Sequence, residues 1–338
     1  MLNNSIRKVF PFKNGRLKTK YFIQLSLLII MCIICILSLL LYNNPVAITS
    51  PSFWPIVSRR ISLVIAIVIV AICHSLATIA FQTVTNNHLI TPSLLGFDAV
   101  YSLIHTSTLF FLGVHSFLAF NGIGAFLVQV CLMIALCLFL YGWILWGKKG
   151  NIQLMLLVGV VLGTGLRSAS GFMRRLLTPS EFDILHAKLY GSMNNADSRY
   201  FVVAIPIVII IMLCFWLLSK KLNVISLGKD VSINLGIDFK FFSIIILILV
   251  SVLMAISTAL VGSLTFYGFL VASLTYQFSR TYDHRYLFVM SVFVAILVMA
   301  LAYFLMFHVF YAMGVVSIII EFLGGSIFII MVLKRGSL

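Results

Sequence analysis

Few side chains in this sequence could do chemistry. Only eight of its 338 residues are Asp or Glu, and two of them, Asp98 and Glu321, fall in or beside long apolar runs. An ionisable group in such a setting costs several kcal/mol unless it pairs or meets water. Each is therefore either functional, holding an ion or lining a polar path, or an acid near a helix end capped by polar neighbours. The seven histidines are scattered without ligand spacing; His74 and His308, inside apolar runs, read as hydrogen-bonded bundle residues rather than metal ligands. Cys32-x-x-Cys35 has a redox spacing but no strand–helix context, and with Cys73, Cys131, Cys137 and Cys214 it reads as packing. Gly142-x4-Gly147-Lys148 approaches a phosphate loop, yet Lys149 stands where Ser or Thr should bind magnesium and no strand precedes it. With Trp143 and Trp146 beside two lysines it reads as a helix end at a membrane interface. There is no H-E-x-x-H, no G-x-S-x-G and no paired in-membrane carboxylate, so the chain reads as a non-enzyme with no ATP site and no metal of its own.

The elements that carry these residues follow from composition. The chain is 62% hydrophobic and 9% charged, against about 45–50% and about 25% in soluble domains, and its mean hydropathy is +1.17. A water-soluble globular protein is excluded. Ten apolar runs, at about 21–42, 61–84, 93–112, 117–146, 152–171, 200–218, 242–260, 264–278, 287–309 and 312–333, are long enough or nearly so to cross a bilayer. They lack the alternation of a barrel, and a helix satisfies its own backbone. The fold class is an all-α integral membrane protein of about ten transmembrane helices.

The net charge of +15 comes from 23 Lys and Arg, and basic residues collect in cytoplasmic loops. Residues 1–20, with Arg7, Lys8, Lys13, Arg16, Lys18 and Lys20, form a cytoplasmic basic N-terminus, not a cleaved signal. Residues 21–338 form a single transmembrane domain. With ten spans, sixteen of the 23 Lys and Arg lie inside; Arg59, Arg60, Arg167, Arg174, Arg175, Lys188 and Arg199 lie outside. Both termini are then cytoplasmic, and the charge calls for a bilayer rather than nucleic acid.

Two loops exceed what a connection needs: an outer one at about 172–199 and an inner one at about 219–241. In the inner loop, Gly228 breaks one helical turn, residues 229–235 can form another and Gly236 is a C-terminal stop. Two short helices bearing apolar groups on a polar surface make either a docking knob or an interfacial helix. Gly159-x3-Gly163, followed by Gly165, gives the fifth span a smooth face, for helix packing or for a pathway wall.

Several blocks resemble the FecCD/BtuC family, the permease subunits of binding-protein-dependent ABC importers for ferric siderophores and vitamin B12. They are Gln82 to Gly96 (with Asn86-Asn87, Thr91-Pro92 and Leu94-Leu95-Gly96), Leu222 to Gly236, Gly262 to Arg285 (with Phe266, Gly268 and Asp283-His284-Arg285), and Gly324-Gly325-Ser326-Ile327-Phe328 with Gly314 before it. The resemblance covers about Arg60 to Leu333, and its wording is most similar to the ferric catecholate-siderophore branch. It implies a BtuC-like type II importer fold working by alternating access, in which Leu227, Gly228, Lys229, Asp230, Ser232, Leu235 and Gly236 form the loop that couples to an ATPase. Lys229 replaces the family's usual acid there and Ser232 its usual alanine. Of the outer R-x-P-R only Arg60 is kept; Arg59, Arg174, Arg175, Lys188 or Arg199 could supply the missing charge for binding-protein docking. Gln82, Asn87, Gly159, Gly163 and Glu321 are assigned to the translocation pathway. The family's Pro-His is Ala272-Ser273 and its following Arg is Tyr276, while its ninth-span Asp and Arg are Tyr303 and Phe307.

The resemblance implies two ABC ATPase subunits holding ATP and Mg, a periplasmic or lipoprotein substrate-binding protein, a second permease subunit (a copy or a similar chain), and a ferric siderophore as cargo across the plasma membrane. Two alternatives use the same residues. One is an ion-gradient carrier, with Asp98 or Glu321 binding the coupling ion near a break at Gly262 or Gly268; the other is a family permease for vitamin B12 or haem.

Overall fold

Each of the ten apolar runs contains a helix in the computed structural model, which describes residues 12, 15–42, 44, 46, 50–119, 122–146, 152–310 and 316–335. The helices are α1 Gly15–Leu41, α2 Phe53–Thr85, α3 Phe97–Ala119, α4 Ile123–Trp146, α5 Ile152–Arg175, α6 Pro179–Leu189, α7 Phe201–Ile225, α8 Lys229–Asn234, α9 Phe239–Val261, α10 Tyr267–Ser279, α11 His284–His308 and α12 Val316–Arg335. Seven of them (α1, α2, α3, α5, α7, α9 and α11) are long and apolar enough to cross a membrane, and α4 and α12 contain shorter apolar stretches. The eighth run differs: α10 has 13 residues, about 20 Å of helix, and cannot cross alone. The Gly147–Lys148–Lys149 and Gly314 readings fall outside the described residues, as does all of 1–20 before Gly15 except Phe12.

α2 is the central pillar. Its 33 residues reach about 50 Å, and from Ile69 to Val84 all but Ile72 are buried, so it is apolar on every side because every side meets protein. It packs on α9, α11, α7 and α10. Against α10 the approach is close: a methyl at Gly268 would overlap the hydroxyl of Thr78. His74, one turn earlier, is buried with neither ring nitrogen hydrogen-bonded; it meets the ring of Tyr267 edge-on. The expectation of a hydrogen-bonded His74 therefore fails. Cys32 and Cys35 are free thiols, and Cys32 Sγ donates to Phe293 O.

The 172–199 segment forms a cap. Thr178 and Glu181 form a reciprocal capping box at the start of α6, which holds the Glu181 carboxyl below the usual range. The cap is fastened at several points. Tyr101 Oη donates to Lys188 O, Tyr190 bridges Ser263, Ser192 N donates to Val261 O and Met193 N donates to Tyr303 Oη at 2.6 Å. Burial pulls the Lys188 amine down while Asp197 opposes it.

Candidate functional site

The 219–241 segment forms a knob. α7 does not stop at residue 218 but continues to Ile225, because Phe215, Ser219, Leu222 and Ile225 bury one stripe while Lys220 and Lys221 stay at its polar edge, the latter with Nζ 5.2 Å above the Phe242 ring. The first of the two expected short helices is thus the end of α7. Gly228 turns the chain at φ 96°, a conformation that favours glycine, and α8 follows. Ser232 is wholly buried, and its hydroxyl lies 2.6 Å from Gly228 O and 3.0 Å from Val224 O, tying α8 to the end of α7. Asp238 then caps α9 by accepting from Phe241 N.

The buried serine turns the apolar groups outward. Leu227, Val231, Ile233 and Leu235 are 57, 45, 51 and 60% exposed, and Lys229, Asp230 and Gly236 are exposed around them. Four large apolar side chains exposed on one short turn suit a docking surface or a membrane interface.

Sequence spacing showed no paired carboxylate, but the fold makes one. Asp98, at the start of α3, and Glu321, on α12, line one cavity of about 250 Å³ with Arg167, Arg174, His186, Ser263 and Thr265. Thr265, in the same lining, donates its hydroxyl to Asp98 Oδ2 at 3.0 Å. Asp98 is buried, and the Ser263 hydroxyl lies 3.4 Å from that of Thr265. The site extends from the middle of α5 to the cap: Gly96 packs on Gly163, halfway along α5, where a methyl on either would come within 3.2 Å of the other's Cα, and Arg174 of its last turn and His186 of α6 also line the cavity. Gly159 and Gly163 are both buried, so this smooth face packs helix to helix, while Thr164, Gly165, Arg167 and Ser168 are exposed on the rest of α5. Lipid covers such a polar stripe poorly, and a second subunit or a water-filled path covers it well.

Gln82 and Asn87 close the end of α2. Asn86 is left-handed, Asn86 N donates to Thr83 O and Asn87 N to Gln82 O, a Schellman ending; Asn87 Oδ1 accepts from Leu89 N within the turn. Gln82 is buried and donates to His88 O at 2.7 Å, lining an inner cavity of about 820 Å³ with Lys220, Asn223, Leu227, His284 and Arg285.

On the opposite face Arg59 and Arg60 line a cavity of about 460 Å³ with Asn194 and His308. Arg60 Nη1 lies 2.9–3.3 Å from Leu39 O, Leu40 O and Tyr42 O, so it holds the end of α1. Arg174 donates back to Ser170 O and Arg175 is exposed. Arg199 is bonded to Asp197, which lowers the Asp197 carboxyl.

The FecCD transport family model matches residues 27–334. The chain is 55% identical over 337 residues to the petrobactin import system permease protein FatC of Bacillus anthracis, covering 100% of this chain and 95% of that protein. It is 37% identical over 314 residues to the petrobactin import system permease protein YclO of Bacillus subtilis, covering 93% and 98%. Among solved structures, an inward-facing metal-chelate type ABC transporter chain superposes with a TM-score of 0.74 at 19% identity, over 93% of this chain and 99% of that one.

Proposed function

The chain belongs to the FecCD transport family, and on that premise we propose that it is the membrane permease of an ATP-driven importer whose cargo is a ferric siderophore of the petrobactin kind. The near-full-length identity to a petrobactin permease supports the cargo. The observation that carries the mechanism is the knob: Leu227, Val231, Ile233 and Leu235 project from a turn locked by Ser232, where an apolar groove of an ATPase subunit would cover them. Two such subunits hold ATP and Mg; this chain binds neither.

The exposed polar stripe of α5 supports a second permease subunit, with the pathway between the two. Asp98, Thr265 and Glu321 open beside that stripe and would form part of its wall, not an ion-coupling site, since the family is driven by ATP. On the far side Arg59, Arg175 and Arg174 are available to the acidic face of a binding protein, with Arg60 supporting them through α1. The membrane is the plasma membrane, with both termini cytoplasmic. ATP closes the two ATPase subunits, the knobs move, and the pathway opens alternately to each side.

Uptake of iron-55 supplied as ferric petrobactin, a ferric hydroxamate or haem, in cells whose own chromosomal copy is deleted, tests the cargo. Petrobactin-dependent uptake restored by this chain with its operon partners is the expected result. Restoration by the hydroxamate or haem alone would reject it.

A further inference from the structure

At the base of the knob, the end of α7 is clasped to the start of α11 by side chains. Asn223 Oδ1 accepts from His284 N at 2.9 Å and from His284 Nδ1 at 2.6 Å, and Asn223 Nδ2 donates to Asp283 Oδ1 at 3.2 Å. Asp283 Oδ1 also accepts from Arg285 N, capping α11. One turn back on α7, Ser219 Oγ accepts from Arg285 Nε at 3.3 Å. The far side of the His284 ring continues the chain: Nε2 lies 2.7 Å from Thr83 Oγ1 on α2. With Nδ1 protonated toward Asn223, Nε2 is left as an acceptor facing the Thr83 hydroxyl, whose one proton can go to it or to Ile79 O at 2.8 Å; given to Nε2, it makes the ring join three helices with both nitrogens used.

Asn223 suits this place because one side chain must accept from a backbone N–H and a ring while donating to a carboxylate; among uncharged side chains of this length only an amide offers both. The connection is also stiff. Ser226 Oγ donates to Asn223 O, and Ser232 ties α8 to Val224 and Gly228, so knob and clasp move as one piece. Beside the clasp lies the 820 Å³ cavity, which both Asn223 and His284 line.

We propose that Asn223 is a positioning residue for transport: through Asp283 and His284 it carries the displacement of the knob to α11 and, through Thr83, to the central helix α2. This rests on the reading of α8 as the ATPase dock. Without the clasp the ATPases would still bind and cycle, but the pathway helices would not follow.

The test uses the whole importer in proteoliposomes, with ATP hydrolysis and uptake of iron-55 ferric petrobactin measured on the same preparation. Asn223→Asp sets a second carboxylate against Asp283 and should lower uptake per ATP about tenfold with hydrolysis retained. Asn223→Asp with Asp283→Asn restores an amide-to-carboxylate bond between the two positions and removes the carboxylate repulsion, but gives up the cap that Asp283 Oδ1 also accepts from Arg285 N, so it should restore part of the lost ratio. Thr83→Val, the same shape without the hydroxyl, should lower the ratio about threefold and serves if Asn223→Asp does not assemble. A wild-type ratio in Asn223→Asp or Thr83→Val, or no rescue in the assembled exchange, overturns the proposal. Leu235→Glu in parallel separates the two readings: if it abolishes uptake while Asn223→Asp does not, the clasp alone fails, and if it is silent, the dock itself fails.

Discussion

Truncating Leu235 to alanine should weaken the hold of an ATPase subunit by an amount that the structure sets. Complete burial of a leucine side chain is worth about 1.5–3 kcal/mol, and Leu235 is 60% exposed, so a partner that covers the remainder gains about 1–2 kcal/mol. Losing that corresponds to about a 5–30-fold rise in Kd. Taken together, Leu227, Val231, Ile233 and Leu235 leave about two side chains' worth of apolar surface for the partner, or about 3–6 kcal/mol. One leucine is therefore a large share of the contact. The assay is titration of the purified cognate ATPase onto the permease in lipid nanodiscs, with Ile210→Ala as the matched control. Ile210 is 59% exposed but sits in the middle of α7. An unchanged Kd in Leu235→Ala, or an equal loss in Ile210→Ala, would refute the reasoning.

A methyl at Gly268 meets the hydroxyl of Thr78, so Gly268→Ala should cost about 1–3 kcal/mol, read as a lower melting temperature in detergent. Because Thr78 Oγ1 has no hydrogen-bond partner among the described residues, Thr78→Ala should be mild alone and should recover more than half the loss; a purely additive double variant contradicts this close packing. Arg60→Ala removes the donor that spans Leu39 O, Leu40 O and Tyr42 O, and hydrogen exchange at the end of α1 should quicken by the equivalent of about 1–2 kcal/mol. Unchanged exchange there would show that the guanidinium is not holding the helix.

Helices were legible where hydrophobicity alone decides them, and the bounds shifted where a second force acts. α7 runs past Lys220 and Lys221 because Leu222 and Ile225 still find a buried stripe, which a hydropathy window interrupted by two lysines hides. The 264–278 run looked like a span because it is apolar, yet it is apolar through burial against α2, α11 and α12, not through length. The knob was readable from Gly228, Gly236 and the leucines between polar residues, since turn chemistry is local. The carboxylate pair was not: Asp98 and Glu321 reach one cavity from distant parts of the sequence, and nothing local marks Thr265 as the donor to Asp98. Likewise Asn223 and His284 are 61 positions apart, and Arg60 gave no sequence sign that α1 would take its guanidinium.

The side of the membrane on which the knob lies tests the account most directly. Val231, 45% exposed on α8, can be changed to cysteine and labelled with a membrane-impermeant maleimide, against the unsubstituted chain as background. Labelling in inside-out vesicles and none in intact cells is the predicted result; labelling in intact cells would contradict it.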